Sequence, residues 1–243
     1  MSKSILITSG KGGVGKSTVC TMLGTALAEQ GSSVLLLETD CGLRNLDIMN
    51  GLENEMVYDL GDVLLGRCEP ARAIVKSPYS ENLDLLPATV SPHLKISTAT
   101  LSRLILGLKS FYDYILVDCP AGFDSIFDAV LQSVDMGIVV AVPNAISVKD
   151  AAKAADLFYQ AGLSQGKLII NILQKNWKSG EFPADFDEII DTVGLQLLGV
   201  VPYNRKMSQA LNSGKKIVLN GKSDVFNNIA RRIKGEYVPL KIR

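Results

Sequence analysis

Nine residues near the start of the chain, GKGGVGKST at positions 10–18, have the composition and spacing of a phosphate-binding loop. They fit the pattern G-x-x-x-x-G-K-[ST], in which glycines let backbone N–H groups turn toward phosphate oxygens. Lys16 is expected to reach the β- and γ-phosphates, Ser17 to ligate Mg²⁺, and Thr18 to contact the α-phosphate. Lys11 is a second lysine that a simple phosphate loop does not require. The loop residues predicted to bind the nucleotide are Gly10, Lys11, Gly12, Gly13, Val14, Gly15, Lys16, Ser17 and Thr18.

Two carboxylates stand where buried strands are expected to end. Asp118 follows the apolar run 114–117, and Asp40 lies two residues beyond the run 34–38. An apolar strand that ends in Asp has the Walker B form, in which the carboxylate holds a water of the Mg²⁺ shell. Asp40 would lie at the same sheet edge, where a carboxylate can position the attacking water of phosphoryl transfer. The catalytic candidates are therefore Lys11, Lys16 and Asp40, and the metal-binding candidates are Ser17 and Asp118.

Apolar runs that alternate with helical patterns supply the elements that must hold these residues. The runs are apolar at consecutive positions, which is typical of a parallel sheet covered by helices on both faces. Such a sheet binds its ligand beyond the carboxyl ends of its strands. The predicted strands are 5–8, 34–38, 83–86, 114–117, 137–142, 167–171 and 197–201, and the predicted helices are 17–30, 100–110, 148–159, 208–213 and 224–233.

Length and composition set the size of the fold. The chain has 243 residues, 47% of them hydrophobic, which is enough for one complete core. No linker, internal repeat or low-complexity tract divides it, so residues 1–243 are predicted to form one domain. The predicted fold class is α/β: a single-domain P-loop NTPase with a mostly parallel, twisted sheet covered by helices on both faces.

The charge is unevenly distributed, although the formal net charge is zero. From position 203 to the end, ten Lys and Arg residues stand against two acidic residues, a net charge of +8. A basic segment on a neutral protein can contact a polyanion, either anionic lipid or DNA, or can be an ordinary solvated surface. Both interpretations stay open at this point.

The cysteines and histidine disfavour a disulfide framework or a zinc site. The chain has four cysteines without a CxxC pair, and a single histidine. The N-terminal residues lack a signal-peptide pattern, and no apolar run approaches the length that spans a bilayer. The sequence therefore predicts a reduced, cytoplasmic protein, with peripheral contact to the inner face of the cell membrane left open.

Three stretches together resemble the ParA/MinD family of ATPases. GKGGVGKST resembles the family's deviant Walker A motif, with Lys11 at the position of its signature lysine. The stretch TDCGLRNLDIMNGLENEMVYDLGDVLLG at positions 39–66 resembles the switch I region of the septum-site branch, and DCPAGFD at 118–124 resembles switch II. The similarity extends from Ser4 to about Lys234.

The resemblance implies an ATPase whose two subunits close face to face around two ATP molecules and reopen after hydrolysis to ADP and phosphate. Lys11 would cross to the partner's phosphates, Asp40 would orient water, and Gly122 would sense the γ-phosphate through its backbone. Asn171, Pro202 and Tyr203 correspond to positions that contact adenine. The implied ligands are ATP and Mg²⁺, and the implied partners are a second subunit and an activating protein that the sequence does not identify.

Two positions depart from the family pattern. Glu38 stands where the family usually has Asp, and its longer side chain could change Mg²⁺ coordination. The C-terminal residues GEYVPLKIR lack the pattern of an amphipathic membrane-targeting helix, because Pro239 would break a helix.

Two other functions are also weighed. A ParA-type partition ATPase would use the basic segment on DNA. A metal-centre maturation ATPase would use Cys41 and Cys119, each of which follows a key Asp. The preferred interpretation is an ATP-dependent dimerising ATPase that cycles a positioning complex in cell-division site placement.

Overall fold

A parallel sheet forms the centre of the molecule. The computed structural model describes residues 2–53, 55–91, 97–174, 177, 185–219, 221 and 224–240. These form an eight-stranded sheet of order β3-β4-β2-β5-β1-β6-β7-β8, in which only the β3–β4 pair is antiparallel. The strands are β1 (Lys3–Thr8), β2 (Val34–Glu38), β3 (Val75–Lys76), β4 (Leu83–Leu86), β5 (Tyr114–Asp118), β6 (Met136–Ala141), β7 (Gly166–Leu173) and β8 (Gln196–Pro202).

Helices connect the strands and cover both faces of the sheet. Within β1, Ile5 and Ile7 belong to one buried apolar layer and Leu6 to the other, so consecutive apolar residues fill both layers. This confirms the α/β fold with a mostly parallel sheet between helices. The helices are α1 (Lys16–Glu29), α2 (Asn45–Asn50), α3 (Leu60–Leu64), α4 (Pro70–Ala73), α5 (Thr98–Leu108), α6 (Ser125–Leu131), α7 (Ala145–Gln160), α8 (Phe186–Val193), α9 (Arg205–Leu211) and α10 (Val225–Ile233).

The sequence prediction missed the short elements. It placed β2 and β4 correctly, and its other predicted boundaries lie within a few residues of the observed ones. Helices α2, α3, α4, α6 and α8 and strand β3 were not predicted, because elements of two to eight residues show too little periodicity. Their capping residues were a usable signal: Asp59 and Asp62 form a capping box at α3, and the Asp124 side chain accepts from Ile126 N and Phe127 N at α6.

The strand order brings three strand ends to one edge. β5 lies between β2 and β1, and β6 lies on the other side of β1. Asp118 pairs in register with Ile7 of β1 and with Glu38 of β2. After β1 the chain forms strands on one side of β1, and from β6 onward it forms strands on the other side. A ligand is therefore expected beyond the carboxyl end of β1, where the strand order reverses.

Beyond α10 the chain leaves the helical conformation. Gly235 has φ 92°, and residues 236–240 are described without helix. The Arg232 guanidinium donates to Leu198 O, Val238 O and Pro239 O at 2.8–2.9 Å, which holds this segment beside the edge strand β8. The described helices include none long and apolar enough to cross a membrane. The predicted lack of a membrane-targeting helix stays a prediction, because residues 241–243 lie outside the described ranges.

Candidate active site

The phosphate loop ends in an uncapped helix N-terminus. Gly15 is the N-cap of α1 and has φ 87° and ψ 32°, in the left-handed region, with no side chain bonded to the first helical N–H groups. Gly13 also has a positive φ of 79°. These conformations are easy for glycine and costly for other residues. The free N–H groups and the helix dipole therefore form a site for an anion such as a phosphate.

Gly15 is needed for space as well as for its backbone conformation, and Gly10 is needed for space. A Cβ on Gly15 would lie 2.3 Å from Asn171 Nδ2, and a Cβ on Gly10 would lie 2.4 Å from Asp150 Cβ. Asn171 is buried at the end of the β7 core and donates its Nδ2–H to Val14 O at 2.8 Å. Asn171 thus supports the loop directly, and its predicted contact with adenine remains a prediction.

The two lysines of the loop lie in different environments. Lys16 is only 8% exposed, and its charge lowers the pKa of both Asp118 and Asp40, so it lies among the site carboxylates. Lys11 is exposed, and no carboxylate of the described residues lies within ion-pair distance of it. Its carbonyl accepts from Ser9 Oγ at 2.7 Å, which holds the backbone but leaves the side chain available.

Asp118 has the properties of a cation ligand. It is 1% exposed, and its Oδ1 has no hydrogen-bond partner among the described residues. Burial, with a smaller contribution from the charge of Asp40, raises its pKa to about 6, although a hydrogen bond from Ser17 and the charge of Lys16 act in the opposite direction. A buried carboxylate with an unused oxygen beside a hydroxyl suits Mg²⁺, which prefers oxygen ligands. Ser17 and Asp118 therefore fit the predicted metal site.

Thr39 joins the strand that precedes Asp40 to the strand that ends in Asp118. Its N–H and its hydroxyl both donate to Asp118 O, each at 3.0 Å. Asp40 is consequently held at the same edge as Lys16. Burial raises its pKa, Lys16 lowers it and Asp124 raises it. Sequence reasoning did not single out Thr39 or Asp124, because their contribution depends on which strands become neighbours.

Glu38 lies beside Asp118 but binds a helix. It is fully buried, and its Oε1 accepts from Asn45 N at 2.5 Å and Leu46 N at 3.1 Å. Burial and the charge of Asp118 raise its pKa to about 8, although these two N–H bonds lower it. The longer side chain, expected to affect Mg²⁺ coordination, therefore reaches the first turn of α2.

We expect the nucleotide-free, metal-free protein to lose stability as the pH rises from 6 to 8. The folded state holds the Glu38 proton up to a pKa of about 8, whereas the unfolded chain has released it, so folding becomes less favourable as pH rises. The slope is at most about 1.4 kcal/mol per pH unit for one group. Urea unfolding in EDTA would measure it, with Glu38→Gln as the comparison. An equally steep decrease in that variant would exclude Glu38 as its source.

The remaining predicted nucleotide contacts lie around the same edge. Gly122 has φ 98°, and its N–H donates to Ser9 O at 3.2 Å. Pro202 is the last residue of β8, and Tyr203, next to it, is 46% exposed. The fold thus places Gly122 beside the phosphate loop. The predicted contacts of Pro202 and Tyr203 with adenine remain predictions.

Known proteins are similar to this chain over nearly its whole length. The family model described as "ParA: NUBPL iron-transfer P-loop NTPase" matches residues 1–236. The septum site-determining protein MinD of Bacillus subtilis is 39% identical over 248 residues, which cover 100% of this chain and 92% of that protein. The chain belongs to the ParA/MinD family of P-loop ATPases. The resemblance inferred from the three motifs is therefore confirmed.

Solved structures of ParA/MinD proteins have the same fold. The chain matches MinD in the "MinC:MinD cell division protein complex" of Aquifex aeolicus with a TM-score of 0.86, 36% identity and 99% coverage of each chain. It matches the septum site-determining protein MinD of Pyrococcus horikoshii, solved with Mg-ADP, with a TM-score of 0.84, 29% identity and 96% coverage of each chain.

The cysteines give the metal-maturation alternative no support. Cys119 is fully buried, and burial raises the pKa of its thiol well above the ordinary value, which disfavours the thiolate that binds metals. Burial also raises the pKa of Cys41. The described residues contain no group of three or more His, Cys, Asp or Glu side chains arranged to hold a metal ion. A metal-centre function is therefore not favoured.

Proposed function

We propose that this protein is an ATP-dependent dimer that hydrolyses ATP to ADP and phosphate and acts in placing the cell-division septum. The observation that carries the proposal is the pair of lysines in one loop: Lys16 is buried at the site, and Lys11 is exposed. The relatives named septum site-determining protein MinD support the cellular role. The ParA family ATPase of Chlorobium tepidum, at 24% identity, supports only the fold.

The residues at the carboxyl edge of the sheet have separate roles in ATP hydrolysis. The N–H groups before α1 and the Lys16 ammonium hold the β- and γ-phosphate oxygens and stabilise the charge that develops there. Asp40 accepts a hydrogen bond from the attacking water and orients it toward the γ-phosphorus. Ser17 and Asp118 would hold Mg²⁺, which neutralises phosphate charge when bound.

Nucleotide binding also requires a change in switch II. The Gly122 N–H donates to Ser9 O in this structure, so it must leave that carbonyl before it can donate to a γ-phosphate. Asp124 caps α6 two residues later, so a shift at Gly122 would be passed to the start of that helix. Phosphate release would reverse the change.

A second subunit explains the exposed lysine. An unpaired ammonium at the rim of a phosphate site gains most from a phosphate that its own loop does not hold. We therefore assign Lys11 to the nucleotide of the partner subunit. The relative solved with MinC supports a further protein partner for this dimer. An activating protein that speeds its turnover is a separate proposal.

The basic segment offers fewer free charges than its composition suggests. Arg231 pairs with Glu236 at 2.7 Å, Lys216 lies 3.9 Å from Glu29, and Arg232 donates to three carbonyls. Three exposed cations that lack an ion-pair partner among the described residues remain for an anionic surface: Arg205, Lys206 and Lys215. We propose a weak contact with anionic lipid through them.

Sedimentation with vesicles tests this surface and the alternative together. We expect the ATP-bound protein to sediment with phosphatidylglycerol vesicles and less with phosphatidylcholine vesicles, and expect ADP to release it. Arg205→Ala/Lys206→Ala/Lys215→Ala should reduce binding at low salt by about a hundredfold, at roughly 1 kcal/mol for each of the three cations near the surface. Lys167→Ala, at the opposite sheet edge, is the control. ATP-dependent gel shifts of nonspecific duplex DNA without vesicle binding would instead favour a partition ATPase.

A further inference from the structure

The loop that carries Asp40 ends in a strained turn. It connects β2 to α2, and its last residue, Arg44, has φ 49° and ψ 52°. A non-glycine residue in this left-handed region costs free energy, so neighbouring contacts must hold it there. Arg44 donates its Nε–H to Asp47 Oδ2 at 2.6 Å, which fixes its side chain.

Glu38 supplies the missing cap of α2. Arg44 occupies the N-cap position and makes no side-chain cap hydrogen bond. The N–H groups of Asn45 and Leu46 open the helix and have no intrahelical acceptor, and both donate to Glu38 Oε1. The Glu38 side chain, at the end of β2, therefore links the start of the loop to the start of α2. Asp40 lies between these two points.

The other end of α2 is held independently. Asn50 donates to Leu46 O and accepts from Ser77 Oγ, each at 2.7 Å. A Cβ on Gly51 would lie 2.7 Å from Gly214 O, so the two backbones are in close contact. The C-terminal end of α2 is thus fixed to the segments that follow β3 and α9, and Glu38 determines how its N-terminal end meets the catalytic edge.

We propose that Glu38 is a positioning residue that holds the Asp40 loop in its reactive geometry by capping α2, and that this role requires side-chain length and an acceptor oxygen rather than negative charge. The proposal rests on the proposed function for the role of Asp40, but the capping contact does not. An Asp at position 38 is shorter by one C–C bond, about 1.5 Å, and would leave the N–H groups of Asn45 and Leu46 without an acceptor.

Two conservative substitutions distinguish a capping role of Glu38 from a role of its negative charge. Glu38→Gln keeps the length and the acceptor but removes the carboxylate, whereas Glu38→Asp keeps the carboxylate but removes the reach. We expect Glu38→Gln to retain the protection of the Asn45 and Leu46 amides against exchange. In Glu38→Asp each of these amides should exchange about tenfold faster, as expected for the loss of one hydrogen bond. Hydrogen exchange followed by NMR in nucleotide-free protein measures this without any turnover. Glu81→Asp, at an exposed position, is the matched control.

Steady-state kinetics on the same variants test the positioning role. Glu38→Asp should lower kcat by about tenfold to a hundredfold, as expected for a displacement near 1 Å, with little change in KM because the phosphate loop is untouched. Glu38→Gln should stay within about threefold of the wild type. Thermal melts confirm that each variant folds.

The opposite order of the variants would overturn the proposal. If Glu38→Asp kept kcat and amide protection while Glu38→Gln lost them, the carboxylate charge and not the cap would be what matters. If exchange followed the expected order but kcat did not, Glu38 would be a structural cap without a positioning role. If the wild type hydrolysed no ATP, the proposed function would fail, whereas the exchange data would still decide the cap.

Discussion

Lys11→Ala is expected to keep the protein monomeric in the presence of Mg-ATP. The exposed ammonium of Lys11 has no ion-pair partner among the described residues, and we assign it to the phosphates of the facing subunit. Without it, two highly charged nucleotides would face each other with one less cation on each side. Loss of a charge-assisted contact on both sides should weaken association by about a hundredfold or more.

Size-exclusion chromatography with light scattering measures this effect, and an Asp40→Ala background prevents hydrolysis during the run. Lys167→Ala removes a lysine at the amino ends of the strands and should dimerise like the parent. ATP binding by Lys11→Ala should persist, because Lys16 and the N–H groups of the loop remain. A Lys11→Ala protein that dimerises like its Asp40→Ala parent, or that hydrolyses ATP normally when Asp40 is kept, would refute the assignment of Lys11 across the interface.

Asp40→Ala is expected to accumulate an ATP-bound dimer that hydrolyses ATP about a hundredfold to a thousandfold more slowly. Asp40 is half-buried beside Lys16 and is held at the edge by the contacts of Thr39. Its removal takes away the acceptor that orients water but leaves the phosphate and metal groups in place. The rate of ATP hydrolysis should therefore fall, whereas the affinity for ATP should change little.

Phosphate release and dimer lifetime should be measured on the same sample. Asp191→Asn, on the exposed side of α8, provides a carboxylate control that should behave like the wild type. ADP in place of ATP should leave Asp40→Ala monomeric, which would show that the γ-phosphate holds the dimer. Wild-type hydrolysis by Asp40→Ala would mean that another group orients the water.

Local motifs made the phosphate site predictable. The glycines, Lys16, Ser17 and Thr18 are adjacent in sequence, and a strand before them and a helix after them are required by the same motif. The consecutive apolar runs predicted a parallel sheet, since both faces of each strand must be buried. Residues such as Thr39 escaped prediction, because their partners belong to strands that lie far away in sequence.

The sequence by itself therefore determined the fold class, the phosphate loop and the two carboxylates that follow buried strands. Only the tertiary structure decided what Glu38 binds. Its side chain, which differs from the Asp usual in the family, accepts hydrogen bonds from two N–H groups of α2, and no sequence spacing predicts this contact. It also decided that Lys16 is buried and Lys11 exposed, although both belong to one short loop. Local motifs encode backbone conformation, whereas burial and pairing depend on which distant strands and helices pack together.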